Sequence, residues 1–254
     1  MFSVNTKKVH FVRIAVIALF LISTACHSIL VPQRNTVTQT KIDTNIKEDP
    51  AIKAFYLPYK QSLDSQMNAV LANSSVEMQK GSGESVLSNF FSDAIASTCK
   101  SRGVNFDFAM PTTNGGIRTS LPKGAIKLQN VFELMPFENE LVVLYLDGSS
   151  VRKLLEFIID KGGQPVSGIR ISAKEGKTTS VTINNIAFDE TKTYRVLTSD
   201  YLANGGDGIE AFKEARKRES LAIKVRDAII EYMRTENTAG RTLNPTVDGR
   251  LNIE

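Results

Sequence analysis

The sequence predicts an α+β fold, a layered mixed sheet with helices packed on it. Three observations point there. Apolar stripes at helical spacing and period-two alternations both occur, and they interleave along the chain. Two short strand-like stretches, 168–173 and 180–183, flank a Glu175-Gly176-Lys177 turn and read as a hairpin. The order mixes hairpins among helices instead of alternating strand and helix regularly.

Asp49-Pro50 opens the first helix, an acid at the cap followed by Pro at the first helical position. Pro58 is expected to break or kink it. Leu63, Met67, Val70 and Leu71 continue at helical spacing. After a Lys80-Gly81-Ser82-Gly83 loop, a second helix is expected over about 84–102. Its stripe is Leu87, Phe90, Phe91, Ala94, Ile95 and Cys99, and Gly103 ends it. Cys99 on that face reads as a small buried hydrophobe. Phe106, Phe108 and Met110 alternate as a strand that stops at Pro111, and 141–146 forms another, closed by Asp147-Gly148. Val151, Leu154, Leu155, Ile158 and Ile159 mark a helix that Gly162-Gly163 stops. A strand over 194–199 and a final helix over about 221–234 complete the pattern. There is no internal repeat and no second-domain boundary within 49–254.

The N-terminus has a different texture. Lys7, Lys8 and Arg13 precede an apolar run over 14–22, and Ser23-Thr24-Ala25 leads to Cys26. This is the layout of a lipoprotein signal peptide (residues 1–25), with Cys26 as the acylated residue, although Ser23 stands where Leu is commonest. The apolar run is short for a membrane span, which takes about 20 residues. The expectation is export and lipid anchoring to a bacterial membrane, on the periplasmic or cell-surface side. Residues 26–48 are polar and read as a tether, with an edge strand possible over 36–42.

Charge and composition exclude some functions. Residues 1–25 hold three cations and no acid. Without them the 31 Lys and Arg fall to 28, against 27 Asp and Glu. Nothing in that balance calls for nucleic acid. The chain has two histidines, His10 and His27, both near the N-terminus. They cannot build the cluster of His and Asp ligands that a dimetal hydrolase centre requires.

Two Gly-rich loops stand out. In Thr112-Thr113-Asn114-Gly115-Gly116-Ile117-Arg118, paired glycines allow close backbone approach and positive φ, and Arg118 offers a planar cationic fork for phosphate or ribose oxygens. Taken alone, the motif reads more readily as an ordinary tight turn with a surface Arg. In Tyr201-Leu202-Ala203-Asn204-Gly205-Gly206-Asp207-Gly208, a carboxylate able to hold two hydroxyls follows an aromatic able to stack on a base. A calcium loop or a plain turn is the alternative, and the repeated acids of a calcium loop are missing. Pro136-Phe137 lies between the two loops and carries no signal by itself.

Together, Gly-Gly-Ile-Arg, then Pro-Phe, then Asn-Gly-Gly-Asp-Gly, in this order and spacing, resemble the 5′-nucleotidase C-terminal domain family over roughly 49–254. Glu84 with 88–94, 122–126, Leu146-Asp147-Gly148 and 247–251 fit the same resemblance. The resemblance implies a substrate-binding domain for a nucleotide or nucleoside. Phe137 and Tyr201 would sandwich the base. Arg118 and Asp207 would hold phosphate and ribose oxygens, and Asn114, Gly116, Asn204 and Gly206 would complete the two loops. In many members an Asn stands five residues before the Arg; here Thr113 holds that place. Tyr201 replaces the usual Phe, and only Lys80 lies near Glu84 where a further cation is common.

In that family a separate N-terminal metallophosphoesterase domain holds the catalytic metals. The resemblance therefore implies that this chain carries no cofactor and no catalytic residue. Divalent metals are then expected on a separate catalytic partner. Family membership points to phosphoric monoester hydrolysis, whereas the residues point to binding. Three readings stand: one half of a split 5′-nucleotidase, a free-standing binding module, or a scaffold with a decayed pocket.

Overall fold

The computed structural model describes residues 39–43 and 46–254. The expected signal peptide, Cys26, both histidines and most of the expected tether lie outside the described residues. Residues 39–42, the described end of the anticipated edge strand, form no strand. Internal contacts group residues 51–254 into one compact unit.

The architecture is α+β. Helix α1 (Pro50–Met67) begins at the anticipated proline. It runs through Pro58 without the anticipated break, and none of its residues is buried. Val70 and Leu71 do not extend it. They start strand β1 (Val70–Ser74), which pairs antiparallel with β3 (Gly124–Lys127). The apolar spacing mimicked a continuing helix, but Leu71 and Ala72 are needed in the core as adjacent strand residues. Helix α2 (Val86–Ser101) follows, capped by Ser85, whose hydroxyl accepts from the Ser88 amide at 3.0 Å.

The central sheet has strand order β2-β8-β4-β9. Strand β2 (Phe108–Ala109) is shorter than the alternation over 106–110 suggests. It runs parallel to β8 (Thr193–Ser199), which pairs antiparallel with β4 (Glu140–Asp147). Strand β9 (Lys217–Lys224) completes the sheet beside β4. It displaces the anticipated start of the last helix, so α6 spans Val225–Thr238.

Side chains alternate across a strand, so each strand of this sheet feeds two cores. Leu141 and Val143 of β4 join Leu197 and Ala109 beneath α2 and α6. Val142, Leu144 and Leu146 join Phe108 and Val196 on the opposite face, under helix α4 (Gly148–Asp160). That second core also receives Ile169 and Ile171 of β5 (Ile169–Lys174), and Val181 and Ile183 of β6 (Lys177–Ile183). These two strands form the anticipated hairpin inside a sheet of order β10-β5-β6-β7, with β7 Ile186–Ala187 and β10 Leu251–Ile253. Helices α3 (Leu128–Leu134) and α5 (Asp200–Ala203) are short, and each adjoins one of the segments singled out in the sequence.

Glu84 and the terminal Asp248-Gly249-Arg250-Leu251 stretch form a structural joint. Glu84 accepts from the backbone amides of Asp248, Gly249 and Leu251 and from Asn89 Nδ2. Arg250, 8% exposed, grips both oxygens of Asp93 at 2.8 Å. The last strand is thereby tied to α2.

Candidate functional site

Strand direction brings the three motifs together. Strand β2 is parallel to β8, so both strands end at the same edge of the sheet. Strand β4 is antiparallel to β8, with Leu141 opposite Ser199, so β4 begins at that edge. The loop after β2 (111–118), the loop before β4 (135–139) and the segment after β8 (200–208) must therefore meet.

Hydrogen bonds fix the junction. Thr198 Oγ1, fully buried, donates to the Met110 carbonyl at 2.8 Å and pins the ends of β2 and β8. The Arg118 amide donates to the Leu134 carbonyl at 2.9 Å, holding the first loop to the end of α3. Asp200 Oδ1 accepts from the Tyr201 amide at 2.7 Å, and from Asn139 Nδ2 and the Glu140 amide at 3.2 Å. Arg226, 5% exposed, donates from Nη1 to the carbonyls of Met135 and Phe137 at 3.3 Å and pairs with Glu138. The Arg226 and Lys224 partners hold the Glu138 carboxyl down at about 2.

The three segments enclose a cavity of about 660 Å³. Gly116, Arg118, Phe137, Tyr201 and Asp207 line it, with Thr112, Gly115, Met135, Glu138, Asn139, Ser199 and Asp200. Phe137 is 42% and Tyr201 48% exposed, whereas Phe91, Phe108 and Phe212 are fully buried. The Arg118 guanidinium lies 6.0 Å from the Phe137 ring centroid, and its Nη1 donates to the Gly115 carbonyl at 3.2 Å. The wall thus offers aromatic faces, a cation and carboxylates in one cleft, a combination suited to a flat polar ligand.

The other anticipated residues sit differently. Asn114 is engaged by the fold: its amide donates to Gln164 Oε1 at 2.9 Å and its Nδ2 to the Gly163 carbonyl at 3.0 Å. It is not among the residues lining the cavity. Asn204 Oδ1 accepts from Arg218 at 2.7 Å, also away from the lining. Gly206 lies against the Tyr201 ring, where a Cβ would come within 2.5 Å of a ring carbon. Gly115 and Gly116 do not take the positive φ expected of them. Gly116 is required by crowding instead, since a Cβ there would meet Thr112 Oγ1 at 2.0 Å.

Met135, Asp200 and Arg226 were not singled out in the sequence. Asp200 could have been read as an acid in the first turn of a helix capped by Ser199. Arg226 shares its helical phase with buried Ile229, Ile230 and Met233, which marks it as inward-facing.

Among the described residues, no group of three or more His, Cys, Asp or Glu could hold a metal ion. The described residues do not fit a dimetal centre.

A larger cavity of about 830 Å³, lined by Leu128, Phe132 and residues of α6, is open and lies away from the three motifs. The smaller one is where the three motifs converge.

Known proteins share this sequence pattern and fold. The family described as "5′-nucleotidase, C-terminal domain" matches residues 66–214. The chain is similar to the trifunctional nucleotide phosphoesterase protein YfkN of Bacillus subtilis, 28% identical over 240 residues, covering 86% of this chain and 16% of that protein. The solved 5′-nucleotidase precursor of Thermus thermophilus superposes with a TM-score of 0.68 at 27% identity, over 81% of this chain and 43% of that one. The NAD nucleotidase of Haemophilus influenzae shares the fold, with a TM-score of 0.63 at 18% identity, over 81% of this chain and 41% of that one. The chain spans less than half the length of each of these proteins. It belongs to the 5′-nucleotidase C-terminal domain family.

Proposed function

We propose that this chain is the substrate-specificity half of a split 5′-nucleotidase. It grips a nucleotide or nucleoside while a separate metallophosphoesterase supplies two divalent metals and breaks the phosphate ester. Lipid on Cys26 anchors it to a bacterial membrane on the periplasmic or cell-surface side. The observation that carries the reading is the shared cavity: Phe137 and Tyr201 face it together with Arg118 and Asp207. Planar bases fit between aromatic faces, Asp207 suits ribose hydroxyls, and Arg118 suits phosphate. Relatives named as nucleotide phosphoesterase and 5′-nucleotidase support the same ligand class.

Positioning a substrate lowers a barrier only where the reacting groups are also present. The test is reconstitution. An exported metallophosphoesterase encoded beside this gene is mixed with the purified chain and AMP. Phosphate release above that of the metallophosphoesterase alone supports the split enzyme. A mixture no faster than that protein alone contradicts it.

A second reading, a free-standing binding module, is favoured by the completeness of the cavity within residues 112–207. It requires AMP or adenosine to bind without a partner. Calorimetry on the chain alone, showing heat that Asp207→Ala abolishes, supports it.

A further inference from the structure

Asp207 occupies a left-handed backbone conformation, φ 55° and ψ 17°. A residue with a side chain is held there only by its surroundings, although Asp tolerates the region better than most. Both oxygens of its carboxylate are engaged. Thr113 Oγ1 donates to Oδ2 at 2.5 Å and the Tyr201 hydroxyl donates to Oδ1 at 2.9 Å. The same hydroxyl accepts from the Asp207 amide at 3.3 Å. Thr113 is 6% exposed, so its donor is fixed by packing. Gly206 provides the room that lets the Tyr201 ring lie against the loop.

An ionised carboxylate has about four acceptor positions. The two donors occupy one on each oxygen and leave one on each for a ligand. Two free acceptors on a single oriented carboxylate match the two hydroxyls of a vicinal diol. We propose that Thr113 and Tyr201 are positioning residues that hold the Asp207 carboxylate for a ribose diol, making the stacking ring and the sugar-binding acid one unit. A ring without the hydroxyl could stack on a base but would leave Oδ1 unrestrained. The inference rests on the nucleoside reading of the cavity and adds to it a preference for ribose over sugars lacking the 2′ and 3′ hydroxyls.

The experiment is titration calorimetry with adenosine, guanosine, cytidine and uridine, and with the 2′,3′-dideoxy counterpart of whichever binds tightest. The wild type is expected to favour the ribonucleoside by about tenfold or more, as a site built around hydroxyls does. Tyr201→Phe and Thr113→Val should each cut that preference several-fold, weakening the ribonucleoside more than its dideoxy counterpart. Thr113→Ser, which retains the donor, should preserve it. Equal weakening of both ligands, or no change, would assign the hydroxyls to folding alone and overturn the proposal. Selective tightening of the ribonucleoside by Tyr201→Phe would also overturn it, because the hydroxyl would then compete with the sugar. A wild type that binds but shows no ribose preference sinks this inference and leaves the nucleoside reading standing. A wild type that binds none of the four sinks both.

Discussion

Arg226 donates from Nη1 to the backbone carbonyl of Phe137 at 3.3 Å, so a buried guanidinium on the last long helix fixes the loop that presents an exposed ring to the cavity. The same guanidinium lies 4.1 Å from the Phe132 ring centroid and pairs with Glu138. Replacing Arg226 by Ala removes the packing of its stem, two carbonyl partners and the ion pair. We expect a loss of about 1–3 kcal/mol in urea unfolding, together with weaker nucleoside binding. Unchanged stability and affinity would show that the loop holds itself.

Glu138 gives this loop a pH dependence. Its hydrogen bonds to Arg226 and then to Lys224 hold its pKa at about 2, below the ordinary 4.5. A depressed carboxyl stabilises the fold above its unfolded pKa and loses that contribution as pH falls through the folded value. The contribution should be complete above about pH 4.5 and vanish towards pH 2. Glu138 is 59% exposed, so the effect is modest. Glu138→Gln should flatten the fall in melting temperature across that window, as followed by circular dichroism. An identical acid profile would remove Glu138 from the account.

Gly206 separates steric from conformational need. Its φ is ordinary, so Ala is tolerated by the backbone, but a Cβ would lie 2.5 Å from the Tyr201 ring. Gly206→Ala should displace the ring and weaken nucleoside binding about tenfold, with little change in melting temperature. Full affinity in this variant would show that the ring's position is immaterial.

Cys99 should be inert in the native state. It is fully buried in the core beneath α6, and burial pushes its thiol up to about 12. In a Cys26→Ser chain, a disulfide reagent at pH 8 should label it only on unfolding. Rapid native labelling would contradict the packing of α2 against α6.

The sequence announces what is local and periodic. The β5–β6 hairpin and α4 are readable because their apolar residues recur at a single period between clear stop signals. Strand β9 is not, because Lys217, Arg218, Glu219 and Ser220 give it a polar, largely exposed start and it lies at the edge of the central sheet. Val70 and Leu71 fit a helical count yet belong to β1, where pairing with β3 overrides the spacing. In the site, motif order identified Arg118, Phe137, Tyr201 and Asp207, which line one cavity. It could not show that Asn114 is taken up by Gln164 and Gly163, or that Thr113 reaches a carboxylate 94 positions away. Those relationships arise only when parallel and antiparallel neighbours bring three loops to one sheet edge.

The central claim is that Phe137 and Tyr201 hold a nucleobase between them while Asp207 and Arg118 hold its sugar and phosphate. Calorimetric titration of AMP into the wild type, Phe137→Ala and Asp207→Ala tests it most directly. The account predicts saturable one-to-one binding by the wild type and at least about tenfold weaker binding by each variant. Absence of heat from the wild type, or undiminished binding by both variants, would contradict it.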